Sequence, residues 1–352
     1  VKKPGEKMKQ GVRQVGHLYH PETLKQKGLL WSSMLLLVTA IVLLGLLGWY
    51  WSQEPEAPDM QLITSKYIDD SSHQVVGASY TATLIVLGET LLDKRGGYLS
   101  NDVMPPGVWL DNIPNWEFGV LVVLRDASAA LRNHFSRSQS QSIEDKSLSR
   151  AEPQFNFQND SWIFPATEGE YRDGLEELEN YIARLVDPQQ QKAQFYARAD
   201  NLRQFLEIIE KRLGSLSQRL SASVGQERVN TDLAGDSDAR QSTGVPGTLR
   251  IKTPWLELDD VFYEARGASW ALRAMLQAIE VDFDSILRKK NAVISLRQII
   301  RELDGTQQSI LSPVVLNGGG FGVFSNYSLT MANYISRANA AVIDLRSLLE
   351  RG

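Results

Sequence analysis

The chain has 352 residues, 43% of them hydrophobic, so it is long enough to bury a sizeable core in one large domain or two moderate ones. It contains no cysteine, which excludes disulfide bonds, thiol catalysis and cysteine-based metal sites. The net charge of −5 combines +5 in residues 1–28 with −10 in residues 52–352. This acidic balance argues against nucleic-acid binding, which would require clustered lysine and arginine.

The first predicted element is the uncharged stretch LLWSSMLLLVTAIVLLGLLGWYW, residues 29–51. As a helix it would span about 35 Å, which is enough to cross a hydrocarbon core of roughly 30 Å. It is longer than the apolar region of a signal peptide, and no small-residue cleavage pattern follows it. Tryptophans near both ends suit the lipid headgroup region. We therefore predict a transmembrane helix that contacts membrane lipid, rather than a cleaved signal or a buried core helix.

The charges that flank this helix predict its orientation. They are Lys25 and Lys27 before it, and Glu54, Glu56 and Asp59 after it. The positive-inside rule places residues 1–28 in the cytoplasm as a basic tail. Residues 52–352 then form a periplasmic domain if the cell is Gram-negative. A tail of this size is too short for a kinase, a cyclase or another folded output domain.

Apolar residues at spacings of three and four predict helices through most of the remaining chain. The predicted helices cover residues 60–92, 116–136, 168–187, 190–223, 255–290, 296–303 and 331–349. The clearest stripe runs from Phe195 to Leu220 in alternating steps of four and three, which is the pattern of a coiled-coil interface. It predicts packing either within the chain or against a second copy.

Between the helices, residues 136–167 are expected to form an ordered loop because they carry several aromatic side chains. Residues 226–250 lose all periodicity and are expected to form a flexible loop. No alternating pattern predicts a strand. The predicted fold class is therefore all-α, with one transmembrane helix followed by a bundle of long helices with coiled-coil-like packing.

Motifs for catalysis, metal binding or nucleotide binding are weak. The four histidines are scattered and form neither an H-E-x-x-H motif nor a Glu-x-x-His pair. The run NGGGFG, residues 317–322, lacks the lysine and hydroxyl ending of a phosphate-binding loop. Asp259 and Asp260 fit a helix start better than a pair of glycosidase carboxylates. We expect no catalytic, metal or cofactor residues, and we expect Asn326 or Ser325 to cap the last helix.

Several loop residues are candidates for contacts with another molecule. The stretch SRSQSQS, residues 136–142, offers hydroxyls and a guanidinium to a glycan or phosphate, although a polar helix exit is the simpler interpretation. Tryptophans in the loops could line a groove, although we favour their locking the loops onto the bundle. Phe321 and Phe324 are expected to pack. The interaction candidates are Trp109, Trp116, Ser136, Arg137, Ser138, Ser140, Trp162 and Phe321.

Several phrases of the sequence together resemble a known family. They include GGYLSND, PPGVWLDNIPNWEFGVL, FSRSQSQSIED, AQFYARADNLRQFL, DDVFYEARGASWAL and YISRANAAVIDLRSLL. They are similar to a family of uncharacterised proteobacterial single-span membrane proteins, over nearly the whole chain after residue 28. The resemblance implies a Gram-negative setting and a helical domain outside the membrane. It implies no activity, cofactor or catalytic residue.

The leading functional hypothesis is a periplasmic scaffold or adaptor on the inner membrane, which contacts other envelope proteins and forms homo-oligomers. The alternative is an envelope enzyme or glycan-binding module, with a site in the loops around Ser136–Ser142, Trp109 and Trp162. A periplasmic sensor is a third hypothesis. The short cytoplasmic tail disfavours a sensor unless the span passes its signal to another membrane protein.

Overall fold

The computed structural model divides the chain into two compact units, Val1–Ser52 and Gln53–Gly352. We call the second unit the body. The residues that the structure describes are 19–60, 63, 66, 75–138, 143–187, 193–229, 248–310, 312, 314–320 and 322–351.

The first unit contains two helices, α1 (Pro21–Lys27) and α2 (Leu29–Trp51), joined at Gly28 with φ +84°. α2 has a mean hydropathy of 2.4 in its most apolar window, and none of that window is buried. It is therefore not a core helix of this fold. Within the described part of the chain, α2 alone is long and apolar enough to cross a membrane.

The body is built from helices, as the all-α prediction requires. Its helices are α3 (Ala78–Asp93), α4 (Asn112–Ala130), α5 (Lys146–Phe155), α6 (Thr167–Val186), α7 (Ala199–Ser221), α8 (Leu258–Asp282), α9 (Asp284–Lys289), α10 (Val293–Thr306) and α11 (Tyr327–Glu350). One turn of π-helix, Leu131–Phe135, extends α4. A short antiparallel hairpin joins β1 (Gln226–Val229) to β2 (Thr248–Ile251).

α4 and α8 form the most extensive helix pair and run in the same direction. Near their starts, Asn115 Nδ2 donates to Asp260 Oδ1 at 2.7 Å. Beyond their ends, the rings of Phe135 and Phe283 lie 5.4 Å apart. The two backbones approach closely because Gly267 faces the carbonyl group of Trp116 and has no side chain to keep it away.

The neighbouring helices run in the opposite direction. Tyr80, at the start of α3, donates its hydroxyl to the carbonyl oxygen of Ala127 near the end of α4, at 2.9 Å. Arg219, near the end of α7, pairs with Glu264 near the start of α8. α11 in turn runs opposite to α7, with Ser217 Oγ donating to the carbonyl oxygen of Ala332.

These directions give the body two ends. The end that we call the linker end contains the described residues 53–59, 94–111, 156–166, 222–229, 248–257, 307–310, 314–320 and 322–326. The far end contains the described residues 75–77, 131–138, 143–145, 187, 193–198 and 283–292. α4, α6, α8 and α11 begin at the linker end, whereas α3, α5, α7 and α10 end there.

α3 begins later than the predicted helix over residues 60–92. Gly77 has φ +93°, a left-handed conformation that favours glycine, and α3 starts at the next residue. The carboxylate of Asp282 accepts hydrogen bonds from the backbone of Gly77, Ser79 and Tyr80, which satisfies the first N–H groups of the helix. Most of residues 61–74 lie outside the described part of the chain.

The prediction of a loop throughout residues 136–167 is wrong, because α5 lies inside this segment. Asp145 caps α5 by accepting from the backbone N–H groups of Ser147 and Leu148. The apolar face of the helix is buried against α6. Pro153 lies within its last turn, where a proline normally argues against a helix.

α7 begins nine residues later than predicted, at Ala199. Residues 193–198 are not helical, and Phe195 contacts the rings of Tyr80, Phe135 and Phe283. From Leu202 to Leu220 the apolar stripe of α7 is buried, and α11 is its main partner. The stripe therefore packs within the chain. Coiled-coil geometry along this pair stays a prediction.

The hairpin was not expected from the sequence, because its strands are four residues long and show no clean alternation. It occupies both ends of the expected flexible loop at residues 226–250. Residues 230–247, the rest of that loop, lie outside the described part of the chain. The last helix behaves as predicted, with Asn326 Oδ1 accepting from Leu329 N at 2.8 Å as its cap.

Candidate functional site

A buried arginine organises the linker end. Arg266 of α8 is 6% exposed, and its Nε donates to the carboxylate of Glu54 at 2.7 Å. Its Nη1 donates to the carbonyl oxygens of Thr306 and Gln308, both at 2.9 Å, and its Nη2 donates to that of Gln307. One guanidinium therefore satisfies the carbonyl groups at the end of α10 and also fastens the linker that follows α2.

A cleft of about 270 Å³ lies beside Arg266. Its walls are mainly apolar, and several of the side chains that line it carry hydroxyl groups. The residues that line it include Phe262, Thr306, Ile310, Tyr327, Met331 and Tyr334. Its volume is just below the usual range for small-molecule sites, about 300–1,000 Å³. The guanidinium of Arg266 already donates to Glu54 and to three carbonyl oxygens.

A second buried charge pair holds the loop after α3. The Lys94 ammonium pairs with the Glu117 carboxylate, and both side chains are almost fully buried. Glu117 also accepts from the backbone N–H groups of Leu99 and Ser100, at 2.9 and 2.8 Å. Burial raises the pKa of Glu117, while Lys94 and these donors lower it in part. The pair thus fixes the loop GGYLS onto α4.

Asn101 joins this loop to the one between α5 and α6. Its Nδ2 donates to the carbonyl oxygen of Ser161 at 2.9 Å and to Glu168 Oε2 at 2.8 Å. Tyr98 reinforces the connection by donating its hydroxyl to the carbonyl oxygen of Asn159 at 2.9 Å. The loops that carry Trp109 and Trp162 therefore lie at the same end of the body.

The predicted tryptophans have different environments. Trp116 is fully buried within α4, with its ring 5.1 Å from that of Trp270, so it packs α4 against α8 rather than locking a loop. Trp109 is 65% exposed, so the prediction that it locks its loop is wrong, and Trp162 is 53% exposed. Phe324 is also exposed, contrary to the expectation that it packs. The loops are held by polar contacts instead.

The described residues of the serine-rich stretch, 136–138, lie at the far end. Ser136 Oγ donates to the carbonyl oxygen of Arg132, and Arg137 pairs with Glu144. The carbonyl oxygen of Ser138 accepts from Arg198 Nη1 at 2.8 Å. These contacts are typical of a polar segment that follows the end of a helix. The predicted candidates Ser140, Ser142 and Phe321 lie outside the described residues.

The stretch is separated from Trp109 by the whole of α4 and its π turn, residues 112–135. At 1.5 Å per residue this distance is about 36 Å. The structure therefore brings Trp109 and Trp162 to the linker end and leaves Ser136–Ser138 far from both. A single site formed by all three loops is not present in the part of the chain that the structure describes.

The charges around the starts of α4 and α8 are mainly acidic. Asp111, Glu257 and Asp259 surround Asp260, and burial together with these neighbours raises the pKa of Asp260. Two basic residues, Arg250 and Lys252, lie on or beside β2. Across the described residues, no group of three His, Asp or Glu side chains is arranged to hold a metal ion.

Sequence reasoning missed Arg266, Lys94 and Glu117 as organising residues. A weak signal was present, because Arg266 interrupts the apolar stripe of α8 and Glu117 lies within the apolar run of α4. Their partners are not deducible from spacing, since Arg266 and Glu54 are separated by most of the chain.

Comparison with known proteins identifies one family. The model of the family described as "Uncharacterized protein conserved in bacteria (DUF2333)" matches residues 24–352. This match confirms the resemblance to an uncharacterised bacterial family. No curated protein and no solved structure matches the chain.

Proposed function

The chain belongs to the bacterial DUF2333 family, and from that premise we propose that it is a membrane-anchored scaffold or adaptor of the cell envelope. In this proposal α2 anchors the chain in the inner membrane. Residues 1–28 are cytoplasmic, and the body lies in the periplasm. The body acts through contacts with other envelope proteins.

The anchoring is supported by α2 and its flanks. α2 has 23 residues without charge, which is long enough to cross a bilayer and longer than the apolar part of a signal peptide. Lys25 and Lys27 precede it, whereas Glu54, Glu56 and Asp59 follow it. Basic residues on the first side favour a cytoplasmic amino-terminal segment.

The observation that carries the scaffold proposal is the fastening of Glu54 by Arg266. Glu54 follows the last residue of α2 by three positions, and it belongs to the body. The chain between them reaches no more than about 10 Å. Such a short connection limits how far Glu54 can lie from the end of α2. A scaffold needs this property because it must hold its partners at a defined height, whereas an enzyme that reaches for substrate gains from a long linker.

The proposal is tested by crosslinking the full chain in its membrane and identifying the bound proteins. Glu54→Gln weakens the ion pair with Arg266, and Glu56→Gln changes an exposed carboxylate in the same linker. We expect a reproducible set of envelope proteins with the natural chain and the Glu56→Gln control, and severalfold less with Glu54→Gln at equal membrane insertion.

The matched background control is α2 with its flanks fused to an unrelated helical domain. If the natural chain captures only what this fusion captures, the scaffold proposal fails. If Glu54→Gln captures partners as well as Glu56→Gln does, the role of the fastened linker is wrong.

Self-association is part of the proposal, but it needs a surface other than the α7 stripe, which is buried within the chain. Light scattering of the full chain in detergent measures this directly. If the chain stays a strict monomer at high concentration, the homo-oligomer part of the proposal is wrong. The proposed contacts with other proteins are not affected by that result.

A further inference from the structure

Exposed aromatic side chains in the described part of the body lie at one end. Among the described residues of the body, every exposed tryptophan or phenylalanine lies at the linker end. These side chains are Trp109, Trp162, Phe164, Trp255 and Phe324, with exposures from 53% to 92%. The exposed apolar residues at and beside the far end are aliphatic and separated in sequence, namely Val76, Ile143, Val281 and Ile294.

The aromatic loops are held in place rather than loosely attached. Asn101 joins the segment 94–111 to the segment 156–166, and Asn115 joins the start of α4 to that of α8, which follows Trp255 directly. Such loops expose apolar surface at a constant position. Exposed apolar surface that is concentrated on one side of a protein marks a contact with another protein or with a membrane.

The same end holds the linker from α2. Glu54 binds Arg266, and residues 53–56 share a cleft with Lys94 and Arg95 of the loop after α3. This inference rests on the anchoring under Proposed function. The chain then holds Glu54 within about 10 Å of the carboxyl-terminal end of α2, where the helix leaves the membrane. The linker end is therefore the end of the body that is tethered to the bilayer.

We propose that the linker end rests on the surface of the anchoring membrane, with Trp109, Trp162, Phe164 and Trp255 in the interfacial region. Tryptophan suits this region because its ring is apolar while its N–H group can stay hydrated. Surface-bound proteins bury such side chains about 5–10 Å into the boundary between headgroups and acyl chains. The partner of this surface is thus lipid.

The short tether favours lipid over a second protein. A helix with its side chains is about 10–12 Å in diameter, which is as large as the full reach between Trp51 and Glu54. A helix placed between Glu54 and the end of α2 would take up this whole reach. A bilayer surface fills this space without any added component.

The charged side chains at the linker end indicate which kind of lipid headgroup this surface can contact. Asp111, Glu257, Asp259 and Asp260 lie close in sequence to Trp109 and Trp255, and the basic residues at this end include Arg95, Arg250 and Lys252. Anionic headgroups would be repelled by the acidic cluster, so attachment depends on apolar burial. We expect contact with zwitterionic lipid, little change with salt, and no gain from anionic lipid.

The absence of cysteine makes the test direct, because a single introduced cysteine can carry an environment-sensitive fluorophore. Phe164→Cys and Val103→Cys place the label at the linker end, and both positions are exposed. Ile143→Cys and Ile294→Cys are the matched controls, since both positions are also exposed but lie at or next to the far end. Leu43→Cys reports whether α2 is in the bilayer.

The full-length variants are reconstituted in phosphatidylcholine vesicles that contain lipid-attached quenchers, and circular dichroism confirms that each keeps its helix content. We expect severalfold stronger quenching at residues 164 and 103 than at residues 143 and 294, unchanged when phosphatidylglycerol or salt is added. Val103→Cys provides a second reading if Phe164→Cys does not fold.

The outcomes separate this inference from the anchoring. If residue 43 is quenched but residues 164 and 103 are quenched no more than the controls, the proposal that the linker end rests on the membrane is wrong. The anchoring by α2 is then still supported. No quenching at residue 43 overturns the anchor and this inference together. Quenching at the linker end that appears only with anionic lipid contradicts the apolar mode of contact.

Discussion

Asp282 shows how a single side chain couples distant parts of the body. It ends α8, and its carboxylate accepts from Tyr80 N at 2.7 Å at the start of α3. Burial raises its pKa from 3.8 to about 7, even though the backbone N–H groups lower it in part. Because the folded-state pKa is the higher one, the folded chain keeps a proton between about pH 4 and pH 7 that the unfolded chain releases.

The free energy of unfolding should therefore fall as the pH rises through this window and level off above it. Asp282→Asn keeps an oxygen acceptor for Tyr80 N but cannot titrate. We expect this variant to reduce the stability difference between about pH 4.5 and pH 8 by roughly 2–4 kcal/mol. Urea unfolding followed by circular dichroism at both pH values measures it. A difference as large as that of the natural chain would show that Asp282 does not titrate in this range.

The pair of Lys94 and Glu117 allows a second prediction at the residue scale. Glu117→Leu leaves the buried ammonium of Lys94 without its partner, and we expect a loss of about 3–5 kcal/mol in the free energy of unfolding. Adding Lys94→Met in the same chain should recover part of this loss, since no charge is then left buried.

The control pair is Arg203 and Glu350, which is exposed, so Glu350→Gln should change the stability by less than about 0.5 kcal/mol. Denaturant unfolding of the natural chain and of these three variants provides the comparison. Equal losses for Glu117→Leu and Glu350→Gln would be incompatible with a buried pair.

Residues of this kind are the least predictable from the sequence. Asp282 and Glu117 are single acids within apolar runs, and spacing alone does not reveal that one caps α3 and the other holds a loop. Their roles depend on partners far away in the chain, and only the packed helices bring these together.

The contact of α4 with α8 depends on two glycines. A methyl group on Gly267 would overlap the carbonyl oxygen of Trp116, and one on Gly119 would overlap that of Glu264. Because both obstacles are backbone atoms, the helices would have to move apart. We expect Gly267→Ala to cost about 1–3 kcal/mol or more in the free energy of unfolding.

Gly169 of α6 is the matched control, because it also lies in a helix but has open space around it. Gly169→Ala should stabilise the body by about 0.5–1 kcal/mol, since alanine is the better helix former. Thermal unfolding of both variants tests the pair. A Gly267→Ala protein as stable as Gly169→Ala would mean that the two helices are not in close contact.

At the scale of elements, long apolar stripes made most of the fold predictable. The apolar patterns predicted α6, α8 and α11 because one face of each helix is buried. The pattern predicted α2 because all of its faces are apolar. The sequence did not predict α5, because the helix is short and contains Pro153. The start of α3 depends on Gly77 and on Asp282, and the hairpin is too short to show a pattern.

At the scale of the whole molecule, the sequence predicted a span and a helical body but not which end of the body carries the exposed aromatic residues. That asymmetry arises from helix directions, which bring the loops of Trp109, Trp162 and Trp255 together with the linker. The predicted candidates at Ser136–Ser138 belong to the opposite end. Proximity in the folded chain, rather than composition, distinguishes the two groups.

The central claim is that α2 holds the body on the outer side of the inner membrane. Cysteine labelling in spheroplasts with a membrane-impermeant maleimide tests it most directly, using Ile294→Cys in the body and Lys9→Cys before α2. The account predicts that residue 294 is labelled in intact spheroplasts and residue 9 only after lysis. Labelling of residue 294 only after lysis would contradict it.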